Sequence, residues 1–216
     1  MVGQKQFRSI ATVWLAVFLL TGMFSAIPLS RGHADDAGFA LAFDGVNDHV
    51  KLAETTYIYH ADWMNTKSVS LWVKPTGASL LCYNNSIGWC DNIFGDRPRW
   101  WGLARGILNG QDRIWAWNFD GTYRMLGVEY TVGEWVHITL SHGGGVMRLY
   151  KNGVEVASTP SGPTIQPNTG AYPILYLGAV IINSSRNWSF EGEIDEVSLW
   201  NIALSEAEVQ AKMFRT

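Results

Sequence analysis

The stretch that most constrains this chain lies near its end, Phe190-Glu-Gly-Glu-Ile-Asp-Glu-Val-Ser-Leu-Trp-Asn-Ile-Ala-Leu-Ser-Glu-Ala-Glu208, because its periodicity changes there once and sharply. As a strand it places Ile194, Glu196, Ser198 and Trp200 on one side of a period-two ribbon. Glu193, Asp195, Val197 and Leu199 fall on the other. Ser205 followed by Glu208 then forms a capping box, in which each side chain satisfies a free backbone N–H at a helix start. Val209, Met213 and Phe214 give that short helix an apolar stripe. A carboxylate-bearing strand closed by a small capped helix is therefore expected at the terminus.

The body reads as further short strands. Ala40 to Phe43 and His49 to Leu52 flank a turn-rich acidic loop at 44–48. Val69 to Pro75 alternates with Val69, Leu71 and Val73 inward. Trp101 to Ile107 and Arg113 to Phe119 are divided by the turn Asn109-Gly110. Val136, Ile138 and Leu140 share one face of the next strand, and Trp135, His137 and Thr139 the other. Val146 to Lys151 pairs with Val154 to Ser158 across Asn152-Gly153, a strong hairpin signal. A loop follows from Ser161 to Pro173, then a strand from Ile174 to Gly178. A polar loop is expected from Asn183 to Ser189. Many short strands, regular turns and one helix describe an antiparallel sandwich.

Residues 1–34 read as a signal peptide, with Lys5 and Arg8 before an uncharged apolar run from Ile10 to Ile27 and small residues at Gly32-His-Ala34. An uncleaved anchor is the alternative reading of the same run. On either reading the domain from 35 to 216 is exported, secreted or extracytoplasmic. Removing that segment takes away three cations and no acids, leaving 13 basic and 19 acidic side chains, net −6. Such a balance argues against nucleic acid, which needs clustered Lys and Arg. A membrane enters only if the N-terminal segment stays attached. About 180 residues suit one domain. Cys82 and Cys90 read as one structural disulfide, since neither further soft metal ligands nor a Cys-x-x-Cys redox spacing is present.

Three stretches carry a resemblance. The closing signature Phe190-x-Gly-x-Ile-Asp-Glu-Val-x-Leu-Trp-Asn-x-Ala-Leu-Ser205 is similar to that of the laminin-G-like, concanavalin A-like lectin/glucanase superfamily. Ala42-Phe-Asp-Gly-Val-Asn-Asp-His-Val50 resembles its first strand and turn, and Glu134-Trp-Val-His-Ile-Thr139 with Leu149-Tyr-Lys-Asn-Gly153 its central hairpin. The resemblance runs from about residue 39 to 214 and implies an all-β, two-sheet antiparallel jelly-roll sandwich with a short C-terminal helix. It says less about the ligand, because one fold hosts many functions.

Three kinds of chemistry remain. The resemblance implies a structural calcium in many relatives. Asp44 and Asn47 of the first turn, with Asp195 of the last strand, supply the hard oxygens such an ion prefers. The alternative is that Asp44 caps a turn and Asp195 accepts backbone hydrogen bonds. The superfamily's retaining glycosidases use a Glu-x-Asp-x-Glu strand. Here Glu193-Ile-Asp195 matches the first half, but Val197 occupies the second Glu position and cannot protonate a leaving group. A non-catalytic protein is therefore expected, with a β-glycan hydrolase as the lesser alternative.

The third chemistry is a sugar-binding surface. Ten tryptophans remain beyond the leader, and Arg113, Trp115, Trp117 and Phe119 share one strand face. Aromatic rings stack on the C–H faces of sugars, while Arg, Asn and Asp bind hydroxyls. The expected ligand residues are Trp101, Arg105, Trp115, Trp117 and Tyr123, arranged as an exposed patch that takes a glycan or glycoprotein. The rival is an adhesion or assembly module whose partner is another protein or a second copy.

Overall fold

The computed structural model describes residues 39–53, 67–82, 90–97, 101–119, 121–161, 174–183 and 186–213. The leader and the loop from Ser161 to Pro173, apart from Ser161 itself, lie outside them. Among the described residues, fourteen strands form two stacked sheets and one helix follows them. The smaller contains β1 (Leu41–Asp44), β3 (Ser68–Pro75), β8 (Val136–Gly143), β9 (Val146–Lys151), β10 (Val154–Pro160) and β14 (Glu191–Trp200), in the order β1-β14-β3-β8-β9-β10. The larger is built on β4 (Asp91–Arg97), β5 (Trp101–Leu108), β6 (Gln111–Phe119) and β7 (Tyr123–Val128). Beyond β4 lie β11 (Ile174–Leu177), which pairs β2 (Val50–Ala53), and the hairpin of β12 (Ala179–Asn183) and β13 (Arg186–Ser189). Strand pairing is antiparallel except where Ser189 of β13 meets Asn92 of β4.

The core lies where the inward alternation of both sheets meets. Val69, Leu71 and Val73 from β3 and Val136, Ile138 and Leu140 from β8 face Leu103, Ile114 and Leu126 of the opposite sheet. Each such side chain, fully buried, contributes roughly 1.5–3 kcal/mol of transfer free energy. Three corrections follow. Residues 186–189 are a strand, not a loop, because β13 gains partners in β12 and β4 that no local pattern announces. β4, β7 and β12 were unannounced as well, and each finds its partner strand only in the assembled sheet. The alternation of β14 is not continuous either. Asp195 pairs Trp72 and Ser198 pairs Ser70, so Glu196 and Val197 together oppose one residue of β3 in a bulge. The face switches there: Ile194 and Val197 turn inward, while Asp195, Ser198 and Trp200 turn outward.

After β14 the chain folds back over the outer face of the smaller sheet. Helix α1 (Glu206–Lys212) begins at Ser205, whose side chain accepts from Glu208 N while Ser205 N donates to Glu208 Oε2 at 2.8 Å. Val209 and Leu204 pack on Tyr150. Leu204 N donates to Ser68 Oγ (3.0 Å), and Ser141 Oγ donates to Leu204 O (3.0 Å). This cover explains how outward serines can be buried at no polar cost.

Candidate functional site

The outer face of the larger sheet is built from glycine and tryptophan in alternation across strands. Trp117 of β6 lies opposite Gly102 of β5, and Trp115 opposite Ala104. On the other side, Met125 and Gly127 of β7 flank the same two rings. A Cβ added at Gly102 would stand 2.7 Å from Trp117 Cη2, and one at Gly127 2.6 Å from Trp115 Cζ3. The indoles therefore lie across the neighbouring strands in the space that side chains would fill. Trp115 Nε1 donates to Gly106 O at 2.9 Å. The Cys82–Cys90 disulfide completes the surface, with Cys82 Sγ 2.8 Å from where a Cβ of Gly106 would be.

This arrangement divides the expected sugar patch. Trp115 and Trp117 share the outer face as read from the alternation, but both are buried, Trp117 to 2% exposure. Trp101 and Arg105, at odd positions of β5, point between the sheets and are 2% and 1% exposed. Trp101 packs edge-on against Phe94, centroids 5.5 Å apart. The Arg105 guanidinium donates to the carbonyls of Thr76 and Ala78 and lies 4.0 Å from Asp91 Oδ2. It anchors the chain leaving β3. An exposed patch of Trp101, Arg105, Trp117 and Tyr123 is thus not what the fold presents, because strand alternation sends two of the four inward. Tyr123 does reach solvent, at 43% exposure, with its ring 4.9 Å from Phe119 and Met125 exposed beside it. At the other end of the ladder Arg113 donates to Gly127 O (3.3 Å) and pairs with Glu129 (3.4 Å).

The first and last strands are neighbours, as the closing signature implies, but the oxygens named for calcium do not converge. Asp44 registers with Glu191, whereas Asp195 registers with Trp72, four residues farther along β14. At about 3.3 Å per residue the two lie roughly 13 Å apart along the sheet. Asp44 Oδ1 already accepts from Val46 N (2.8 Å) and Asn47 N (3.2 Å), and those bonds hold its carboxyl below the ordinary range. Asp44, Asn47 and Asp195 therefore do not fit one ion. Among the described residues no group of three His, Cys, Asp or Glu gathers anywhere.

Two of the carboxylates of β14 are separately engaged. Glu193 pairs with Lys74 at 2.9 Å. Asp195 Oδ1 accepts from Glu196 N at 2.7 Å. Glu196 occupies the left-handed region at φ 49°, which costs a residue with a Cβ about 1–2 kcal/mol. Its carboxyl is pushed up by burial first and by neighbouring Asp195 second.

Other polar clusters escaped the sequence reading altogether. His142 Nε2 lies 2.9 Å from Ser161 Oγ, which also accepts from Asn118 Nδ2 at 3.1 Å. Ser79 and Tyr130 both bond Asp112 Oδ1, at 2.7 and 3.1 Å. These partners come from separate strands and loops, so no local spacing could have shown them.

A family model described as the concanavalin A-like lectin/glucanases superfamily matches residues 44–210. Mouse Pappalysin-1 is 35% identical over 86 residues, 39% of this chain; the match spans 5% of that protein's length. Domain 4 of AbnA, a GH43 extracellular arabinanase from Geobacillus stearothermophilus solved with arabinotriose, superposes with a TM-score of 0.57 and 24% identity over 81% of this chain and 76% of that one. A heptameric SAP-like pentraxin from Limulus polyphemus gives 0.54 at 16% identity, covering 78% of each chain. The binding domain of botulinum neurotoxin DC, solved with rat synaptotagmin II, gives 0.54 at 11% identity over 82% of this chain and 42% of that one. At these identities the structures share the fold.

Proposed function

The chain belongs to the concanavalin A-like lectin/glucanase superfamily, and we propose that within it this protein is an exported, non-catalytic module that binds glycan at the exposed end of the β6–β7 ladder. The observation that carries this reading is the run Arg113, Trp115, Trp117 and Phe119 on one outer face, ending where Phe119 meets solvent-exposed Tyr123 and Met125. The buried indoles hold that face rigid, and a rigid aromatic surface binds without a large ordering cost. Export is supported by the disulfide, which suits an oxidising compartment. The non-catalytic reading is supported by Glu193, held by Lys74, and by Val197, which the bulge turns toward the core. The AbnA domain was solved with arabinotriose, and the botulinum neurotoxin binding domain, of which 42% matches this fold, with synaptotagmin II; each ligand belongs to its own protein.

The test is a glycan array on the full chain beside a Tyr123→Ala variant. Sugar-specific signal is expected, weakened about tenfold by loss of the ring. A blank array together with a concentration-dependent dimer that Tyr123→Ala dissolves would replace this reading with the assembly one, since exposed Tyr123 and Met125 also suit a protein interface.

A further inference from the structure

A separate cleft of about 270 Å³ opens on the outer face of the smaller sheet, between the bulge of β14 and the last turn of α1. Ser70, His137, Glu196, Ser198, Trp200 and Lys212 line it. None of them belongs to the aromatic ladder. Lys212 Nζ sits 4.1 Å from the centroid of the Trp200 ring, and Trp200 Nε1 donates to Ser70 Oγ at 3.4 Å. His137 is buried against the edge of Trp72, centroids 5.3 Å apart, and its backbone N donates to Asn152 Oδ1.

Two features of this cleft cost the fold free energy. The buried Nδ1 of His137 has no hydrogen-bond partner among the described residues. A buried ring nitrogen left this way carries an uncompensated desolvation cost unless something else meets it. Glu196, meanwhile, is held at positive φ by the bulge, and strained backbone of this kind concentrates where a side chain must be aimed. Burial keeps the His137 ring neutral, with its pKa pushed down to about 4, so it offers one donor and one acceptor.

We propose that this cleft is a second ligand site, on the sheet opposite the aromatic ladder, taking one uncharged polyhydroxylated ring such as a neutral hexose residue. Its volume sits just below the range of small-molecule sites, about 300 Å³ and upward, which suits a single ring. Acceptors from Glu196 and donors from Lys212, with serine hydroxyls capable of both, match neighbouring hydroxyl groups that also play both roles. Glu196 and Lys212 oppose each other in sign, so a net charge on the ligand would meet a like charge on one wall. A metal is the poorer fit, because among the described residues no third carboxylate, imidazole or thiol joins Glu196 and His137.

The site stands or falls separately from the glycan reading of the ladder, since the two share no residue. The experiment is a titration of the full chain with methyl glucoside and methyl galactoside, followed through the Trp200 indole and His137 ring signals by NMR. Glucuronate and glucosamine serve as charged comparators. A neutral glycoside should move both signals, and Ser198→Ala or Lys212→Gln should each weaken that response about tenfold, while Tyr123→Ala leaves it unchanged. If neither glycoside moves them, if only the charged sugars do, or if the two variants bind like the parent, the proposal is overturned.

Discussion

Asp91 lies 4.0 Å from the Arg105 guanidinium, yet burial outweighs that cation and pushes its carboxyl up to about 6 from an ordinary 3.8. The folded domain therefore keeps a proton that the unfolded chain has released, and stability from Asp91 falls as pH rises from about 3.8 to 6. His137 runs the other way. Burial depresses its pKa to about 4 from 6.5, so the unfolded ring takes up the proton first. Its contribution is complete above 6.5 and is lost as pH falls toward 4. The two shifts are similar in size and oppose each other over nearly the same window. Asp91→Asn removes one of them. Its melting temperature should drop on acidification from pH 6.5 to 4, while the parent slopes much less; thermal melts in a buffer series check this, and equal slopes would contradict it. The Asp91 shift could not be read beforehand, because Asp91 and Arg105 look like surface charges until β4 and β5 bring them together.

At the scale of elements, the tryptophan face depends on glycine in the neighbouring strands. Gly102 leaves room for Trp117, and an added Cβ would also strike the carbonyl oxygen of Phe94 in β4, which is backbone and cannot swing away. Gly102→Ala is therefore expected to destabilise by about 3 kcal/mol, the upper end for overpacking, measured by urea denaturation with tryptophan fluorescence as the signal. A neutral result would mean the ring is not held as described. The alternation of β6 was legible from Arg113, Trp115, Trp117 and Phe119 alone. Which face was buried was not, because that depends on the disulfide segment and on the glycines of β5 and β7. The bulge in β14 was equally hidden. Two strict alternations joined by one extra residue look like a single ribbon until the partner β3 fixes the register.

For the molecule as a whole, the Cys82–Cys90 bond ties the segment beside β5 to the start of β4. Leu81 bridges Ile107 just before the first cysteine, and Cys90 directly precedes Asp91. In the chain-entropy account, closing a loop of this length stabilises by about 2–3 kcal/mol. The double variant Cys82→Ser/Cys90→Ser should melt roughly 4–12 °C lower for a domain of this size, by differential scanning calorimetry. No change would indicate that the outer face is held by its indoles without the bond.

What the amino-acid order determined unaided was whatever depends on neighbours along the chain. That includes the strand periods, the Asn-Gly turns and the Ser205–Glu208 cap. Those features follow from local sterics and hydrogen bonding, so they can be read off a single line of residues. Tertiary structure alone decided which tryptophans are covered, that Asp44 meets Glu191 and not Asp195, and that His137, Glu196 and Lys212 border one cleft. Each of those outcomes is set by register between strands distant in sequence. A shift of one residue there exchanges inside for outside.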